Sequence, residues 1–193
     1  PKINDISSDH PAPDKLTAVR LWLKNGDITG DDLNKVAEIA SKFGQGLVRT
    51  TQLQDLLITG VADEDVDDVN NELKGLGANV FNNGAPKIVA CTGAATCKLG
   101  LCLSRGLSNA ISSRLEKADA SDTVIRISGC PNSCGHHCIA DIGFQGVAKR
   151  VNGKLVPCYD VFVGAKTVEG NAHLAKKVGT VPAKRIPDLL AES

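Results

Sequence analysis

Two apolar runs, KIVAC (Lys87 to Cys91) and TVIRIS (Thr123 to Ser128), each deliver a pair of cysteines at or just past their ends: Cys91 with Cys97, and Cys130 with Cys134. Between the runs, Leu99, Leu103, Leu107, Ile111 and Leu115 recur on one helical face and predict a long helix from about Cys97 to Lys117. A strand, a helix and a strand make a right-handed crossover that leaves the two strands parallel. Both cysteine pairs should therefore converge past the carboxyl ends of the strands, where open α/β sheets hold their ligands. A helix opening at Cys97 would also turn its positive end toward that thiolate.

Four converging thiolates suit a metal centre, and the spacing bears on which one. Structural zinc favours tight CxxC knuckles, because a small tetrahedral ion is gripped by short turns. The pairs here, CTGAATC and CPNSC, are wider. Wider loops suit a 4Fe-4S cube, whose corners lie apart and whose sulfurs accept backbone N–H groups. Inert core thiols are the competing reading, but Gly93, Gly129, Pro131 and Gly135 point to exposed turns. Cys102, inside the expected helix, and Cys158, inside a strand, read as small core residues. Cys138 should begin the next strand and is left out of the ligand set. His136 and His137 read as a cofactor rim or as a solvated turn.

The remaining features narrow the protein's class. A chain of 193 residues with 42% hydrophobic content can bury a real core. Its 22 basic and 22 acidic side chains cancel, so no global field attracts nucleic acid or an anionic membrane. No apolar run approaches the roughly 20 residues of a membrane span, and PKINDISSDHPAPDK is unlike a signal peptide, so the expected location is cytoplasmic. Seven cysteines, an odd number, without an export signal argue for metal binding over a disulfide framework. The sequence lacks methionine and starts at Pro1, which suggests a piece of a longer protein.

Upstream of the cysteines the pattern is β-α-β-β-α-β, the split ferredoxin-like order. AVRLWL (18–23) reads as a strand. Thr29 with Asp32 caps a helix whose apolar face carries Leu33, Val36, Ala37, Ala40 and Phe43, with Gly44 as a left-handed C-cap. LVRTT (47–51) and LLITGV (56–61) are two short strands. A second helix presents Val66, Val69, Leu73 and Leu76 and closes at Gly77, and ANVF (78–81) supplies the last strand. Further on, IADIGFQGVAKR and LVPCYDVFVGA read as strands, and a short helix follows Pro182. The expected class is α+β: an arm over 1–15, a ferredoxin-like half-domain over 16–85, and an α/β cluster-binding domain with a mixed sheet over 86–193.

SGCPNSCGHHCIADIGF resembles the sirohaem motif of the nitrite and sulfite reductases: Gly129, Cys130, Cys134, then Asp141, Ile142, Gly143 and Phe144 in the required order. ACTGAATC resembles that family's upstream cysteine pair, RTTQLQDLLITGV its preceding strand pair, and KVGTVPAKRIPDLL its late segment. The resemblance covers most of residues 16 to 190. It implies two pseudo-symmetric halves and a six-electron reduction of sulfite to sulfide or nitrite to ammonia. By similarity Cys91, Cys97, Cys130 and Cys134 hold a 4Fe-4S cluster, and Cys134 also ligates the sirohaem iron. Gly129 and Asn132 are candidate sirohaem-pocket residues, and Arg49, Arg126 and Lys98 are candidate partners of its carboxylates.

Only the second, cluster-bearing half of the family pattern is matched, and the family's arginine and lysine substrate clamp belongs to the first. The expectation is a C-terminal portion of a longer reductase, working with an N-terminal half. No dinucleotide or flavin motif is present, so electrons should come from a ferredoxin or a flavoprotein. PNSCG with ADIGF leans toward the nitrite-type pattern but also occurs in sulfite reductases. A non-catalytic 4Fe-4S electron-transfer module and a structural zinc domain are the alternatives.

Overall fold

The computed structural model describes residues 16–77, 86–115 and 122–192. The expected arm over 1–15 and the ANVF strand lie outside the described residues. The chain divides into two compact units. One holds the first three strands and two helices; the other holds everything from Lys87 on, together with Trp22–Asp27 and Gln52–Gln54.

In the first unit, β1 (Leu16–Leu21), β2 (Val48–Thr50) and β3 (Leu56–Ala62) form an antiparallel sheet in the order β1-β3-β2. Helix α1 (Gly30–Phe43) begins where the capping residue predicts: Thr29 Oγ1 accepts the Asp32 N–H at 3.1 Å. Helix α2 (Val66–Lys74) ends earlier than expected, with Gly75 as its C-cap rather than Gly77. Val19, Leu21, Val36, Ile39, Ala40, Ile58, Val61, Val69 and Leu73 are buried. Each large one of these contributes about 1.5–3 kcal/mol by leaving water. The buried face of α1 is rotated from the expected one: Ile39 is buried, whereas Leu33 is exposed.

The C-terminus of α1 also differs in detail. Gly44 is extended (φ −114), and its missing Cβ serves a close approach, since a Cβ there would lie 2.7 Å from Thr59 O. The left-handed residue is Gly46 (φ +69), whose N–H returns to Ala40 O at 3.0 Å.

The second unit is a five-stranded sheet in sequence order: β4 (Lys87–Ala90), β5 (Val124–Ser128), β6 (Ile142–Val151), β7 (Lys154–Val163) and β8 (Lys176–Pro182). The pairs β4·β5 and β5·β6 are parallel, and β6·β7 and β7·β8 are antiparallel. The parallel β4·β5 pair is the one the crossover demands. Asn152 and Gly153, at φ +50 and +76, make the two-residue turn between β6 and β7. Helices α3 (Ser104–Leu115) and α4 (Ile186–Ala191) join one core cluster that includes Ile88, Leu107, Ile111, Ile125, Ile127, Phe144 and Ile186. Strand β8 has no counterpart in the sequence-based expectations.

The expected long helix is shorter at its front: it begins at Ser104, not at Cys97, and Leu99 and Leu103 are exposed. The backbone N–H groups of this segment are spent elsewhere. Cys97 N–H closes a turn on Gly93 O at 2.9 Å, and Leu101 and Cys102 N–H both reach Gly129 O, at 2.9 and 3.0 Å. Cys97 closes only a single i→i−4 turn, and Leu101 and Cys102, committed to an acceptor outside the segment, cannot carry that pattern on into α3. Cys102 therefore sits before the helix, buried as expected though not helical, and no helix terminus lies at Cys97. Cys138 likewise lies in a short 3-10 turn, His137–Ile139, ahead of β6 rather than at its start.

Candidate metal centre

Cys91 is the residue immediately after β4, and its N–H extends the parallel ladder to Ile127 O at 3.0 Å. Cys130 stands two residues past β5. The loops that follow these strand ends, 91–103 and 129–136, are laced together by one residue. Gly129 donates its N–H to Cys91 Sγ at 3.1 Å, while its carbonyl accepts from Leu101 and Cys102. A Cβ on Gly129 would lie 2.9 Å from Gly93 Cα and 2.7 Å from Ser104 Oγ, so only glycine allows the two loops to close this far.

The four cysteines are all free thiols, and their exposure differs. Cys91 and Cys97 are half-buried, Cys130 is buried, and Cys134 is exposed. The structure brings the two loops into contact. Among the described residues it does not gather three His, Cys, Asp or Glu side chains into a set able to hold a single metal ion.

The Cys134 loop is held from below. Ser133 and His136, neither of them glycine, are both left-handed (φ +58 and +56), and His136 N–H closes onto Ser133 O at 2.7 Å. Ser128 Oγ, at the end of β5, accepts the Gly135 N–H at 3.1 Å and bonds to His137 Nδ1 at 3.0 Å. His137 is 2% exposed, lies against Phe162 with ring centroids 4.9 Å apart, and has a second hydroxyl, Ser133 Oγ, 3.3 Å from Nδ1. Burial pushes its pKa below the ordinary histidine value, against a hydrogen bond with Gln145 and the charge of Asp160, both of which favour the protonated ring. A neutral ring can accept a hydroxyl proton at Nδ1. The adjacent histidines thus divide: His136 is exposed in the turn, and His137 is a buried support of the cysteine loop.

Of the remaining candidate residues, Gly129 is buried at the loop junction, while Asn132 and Lys98 are exposed on the two cysteine loops. Arg49 is exposed on β2 in the first unit. Arg126 differs from these. It is only 7% exposed on β5, and among the described residues its Nε and Nη1 have no hydrogen-bond partner. It lines a cavity of about 570 Å³ with Gln52, Leu53, Asp141, Lys166 and Thr167. Burial lowers its pKa. A buried, unpaired guanidinium is costly unless an anion completes it.

Residues that sequence reasoning missed as parts of the site are Ser104 and Ser128. Both are fully buried serines that touch the cysteine loops. Their signal in the sequence is weak, since a serine opening a helix and a serine ending a strand are common.

Two family models match the chain in order. The family described as "Nitrite/Sulfite reductase ferredoxin-like half domain" matches residues 9–76, and "Nitrite and sulphite reductase 4Fe-4S domain" matches residues 82–192. A ferredoxin–nitrite reductase of Synechococcus elongatus is 34% identical across 97% of this chain, which spans 38% of that enzyme. A sulfite reductase [ferredoxin] of Mycolicibacterium paratuberculosis is 33% identical over 68% of the chain and 25% of its own length. The solved structure of the Mycobacterium tuberculosis NirA protein superposes with a TM-score of 0.75 at 28% identity, covering 91% of this chain and 34% of that one. The chain thus spans about a third of the length of the relatives it matches over nearly its full extent. With two cysteine loops joined past parallel strand ends and both family domains matched in order, the chain belongs to the nitrite and sulfite reductase family, whose cofactors are a 4Fe-4S cluster and sirohaem.

Proposed function

We propose that this chain is the cluster- and sirohaem-binding half of an assimilatory-type reductase that converts nitrite to ammonia or sulfite to sulfide with six electrons. The observation that carries the reading is the Gly129 junction, which sets the Cys91–Cys97 and Cys130–Cys134 loops side by side at one sheet edge. In this reading residues 16–85 are the ferredoxin-like half-domain, residues 86–193 bind the cofactors, and residues 1–15 are an arm.

The residues present fit both groups. Cys91, Cys97, Cys130 and Cys134 supply four free thiols, and Gly129 N–H already points at one of the sulfurs. Cys134 is the exposed member of the four, and in this reading it would be the thiolate that also holds the sirohaem iron. Arg126 brings two unpartnered guanidinium nitrogens to a cavity, which suits a cofactor carboxylate. Lys98, Arg49, Gly129 and Asn132 remain the other cofactor contacts of the reading. Bound cluster and sirohaem would supply single-electron delivery and an open iron face for the substrate oxyanion.

The chain's own residues do the positioning. Ser128 and His137 hold the Cys134 turn, and Gly129 fixes the separation of the two loops. The electron donor in this reading is a ferredoxin or flavoprotein, the setting is cytoplasmic, and an N-terminal half of the same enzyme completes the substrate site.

Anaerobic purification followed by absorption spectroscopy tests the proposal. Sirohaem bands in the Soret and red regions support it, and Cys134→Ser removes them. A brown, featureless cluster spectrum without sirohaem, even after reconstitution, supports the non-catalytic electron-transfer module instead. A protein that stays colourless after reconstitution refutes both. Turnover with reduced methyl viologen and each anion in turn then separates nitrite from sulfite.

A further inference from the structure

Ser104, the first residue of α3, is 0% exposed. Its hydroxyl oxygen lies 3.3 Å from Cys91 Sγ. It is also tightly enclosed: a Cβ built on Gly93 or on Gly129 would come within 2.6 or 2.7 Å of that oxygen. The hydroxyl therefore occupies the space that the two loop glycines leave open, directly behind the first cysteine of the site. A metal-ligating cysteine is a thiolate and has no proton to give. Between an alkoxyl O–H and a thiolate, the hydroxyl must be the donor.

Cys91 Sγ then accepts two hydrogen bonds from the protein, one from Ser104 and one from the Gly129 N–H at 3.1 Å. Among the described residues it is the only one of the four sulfurs so served. Tyr159 stands behind Ser104: it is 1% exposed, its Oη has no partner among the described residues, and Ser104, Cys102 and Cys91 are its polar neighbours. Burial raises its pKa, so it remains a neutral donor. A Tyr159 proton directed at Ser104 Oγ would leave the serine proton free for the sulfur, and chained donors strengthen one another.

We propose that Ser104 is a positioning residue of the iron–sulfur centre: its buried hydroxyl donates to Cys91 Sγ, orients that thiolate and raises the reduction potential of the cluster. The physical reason is that reduction adds negative charge to the cluster and its thiolates. A fixed donor to a ligand sulfur stabilises the reduced form more than the oxidised one. The proposal rests on the reading that Cys91 is a cluster ligand.

The test uses the loaded protein and does not depend on turnover. Ser104→Ala is expected to retain the cluster and to shift its midpoint potential downward in an EPR-monitored titration. Proton ENDOR of the reduced wild-type cluster is expected to show a coupled proton that exchanges within the mixing time in D2O. A hydroxyl exchanges this fast and the buried Gly129 amide does not, and the signal should vanish in the variant. An unchanged potential in Ser104→Ala, or the absence of a fast-exchanging coupled proton in the wild type, overturns the proposal. If the variant does not load, the wild-type ENDOR measurement alone decides. Cys91→Ala separates the two layers: full cluster content with an unchanged spectrum in that variant overturns the ligand assignment itself, not only the role of Ser104.

Discussion

Ser128→Ala removes a hydroxyl that is 1% exposed and serves two groups at once, the Gly135 N–H at 3.1 Å and His137 Nδ1 at 3.0 Å. His137 keeps Ser133 Oγ at 3.3 Å, so the ring is not stranded. The Gly135 amide has no such recourse. A Cβ at Gly135 would lie 2.2 Å from Ile127 O, which shows how tightly this backbone is wedged against β5 and how little it can turn toward another acceptor. A buried donor left without a partner costs about 1–3 kcal/mol, and one net hydrogen bond to the ring adds about 0.5–1.5 kcal/mol. With partial relief from Ser133, the expected loss is about 2–3 kcal/mol, or roughly 30- to 150-fold in the opening equilibrium of this unit. Hydrogen exchange at the core amides of β5, which open only with the unit as a whole, should accelerate by that factor in the variant. An acceleration of less than about threefold, with Gly135 protection unchanged, would show that the serine does not hold the loop and that the Cys134 turn is supported by other means.

Further expectations follow from single residues. Arg126→Met should stabilise the cofactor-free chain by about 1 kcal/mol or more, because it removes an unpaired buried cation, and should weaken sirohaem uptake; urea unfolding with and without added sirohaem measures both effects. Asp160 is 7% exposed, and although burial acts to raise its pKa, hydrogen bonds from Lys177 and Thr180, both at 2.6 Å, and the charges of Lys177 and Lys149 bring it below the ordinary 3.8. Its contribution is therefore complete above that ordinary value and is lost as the pH falls through the lower folded value. Urea titrations between about pH 5 and about pH 2 should show Asp160→Asn with a flatter acid limb than the wild type. Gly153→Val places a β-branched residue at φ +76 with nothing within 4 Å of its Cβ. Its cost should be conformational alone, about 1–2 kcal/mol, visible as faster exchange in β6 and β7.

The fold was legible wherever local chemistry and tertiary demand agreed. Thr29 capped α1 as read, and the KIVA and VIRI runs paired in parallel because both are buried strands joined through a helix. The reading failed where a long-range acceptor outweighed a local period. Leu99 and Leu103 keep helical spacing with Leu107, yet the Gly129 carbonyl, far away in sequence, claims the amides between them. Strand β8 went unread because it is an edge strand with mostly exposed or half-exposed residues, lysines and an exposed Val178 among them, and carries no clean alternation. For the site, cysteine spacing and the family motif singled out four thiols as candidates, whereas the placement of Ser104, Ser128 and the buried His137 depends on packing that no spacing encodes.

Gly129 carries a consequence for substitution. Its own N–H and carbonyl join both cysteine arms, so the backbone sets part of their separation. Any larger residue there would prise the arms apart before it altered a single thiol.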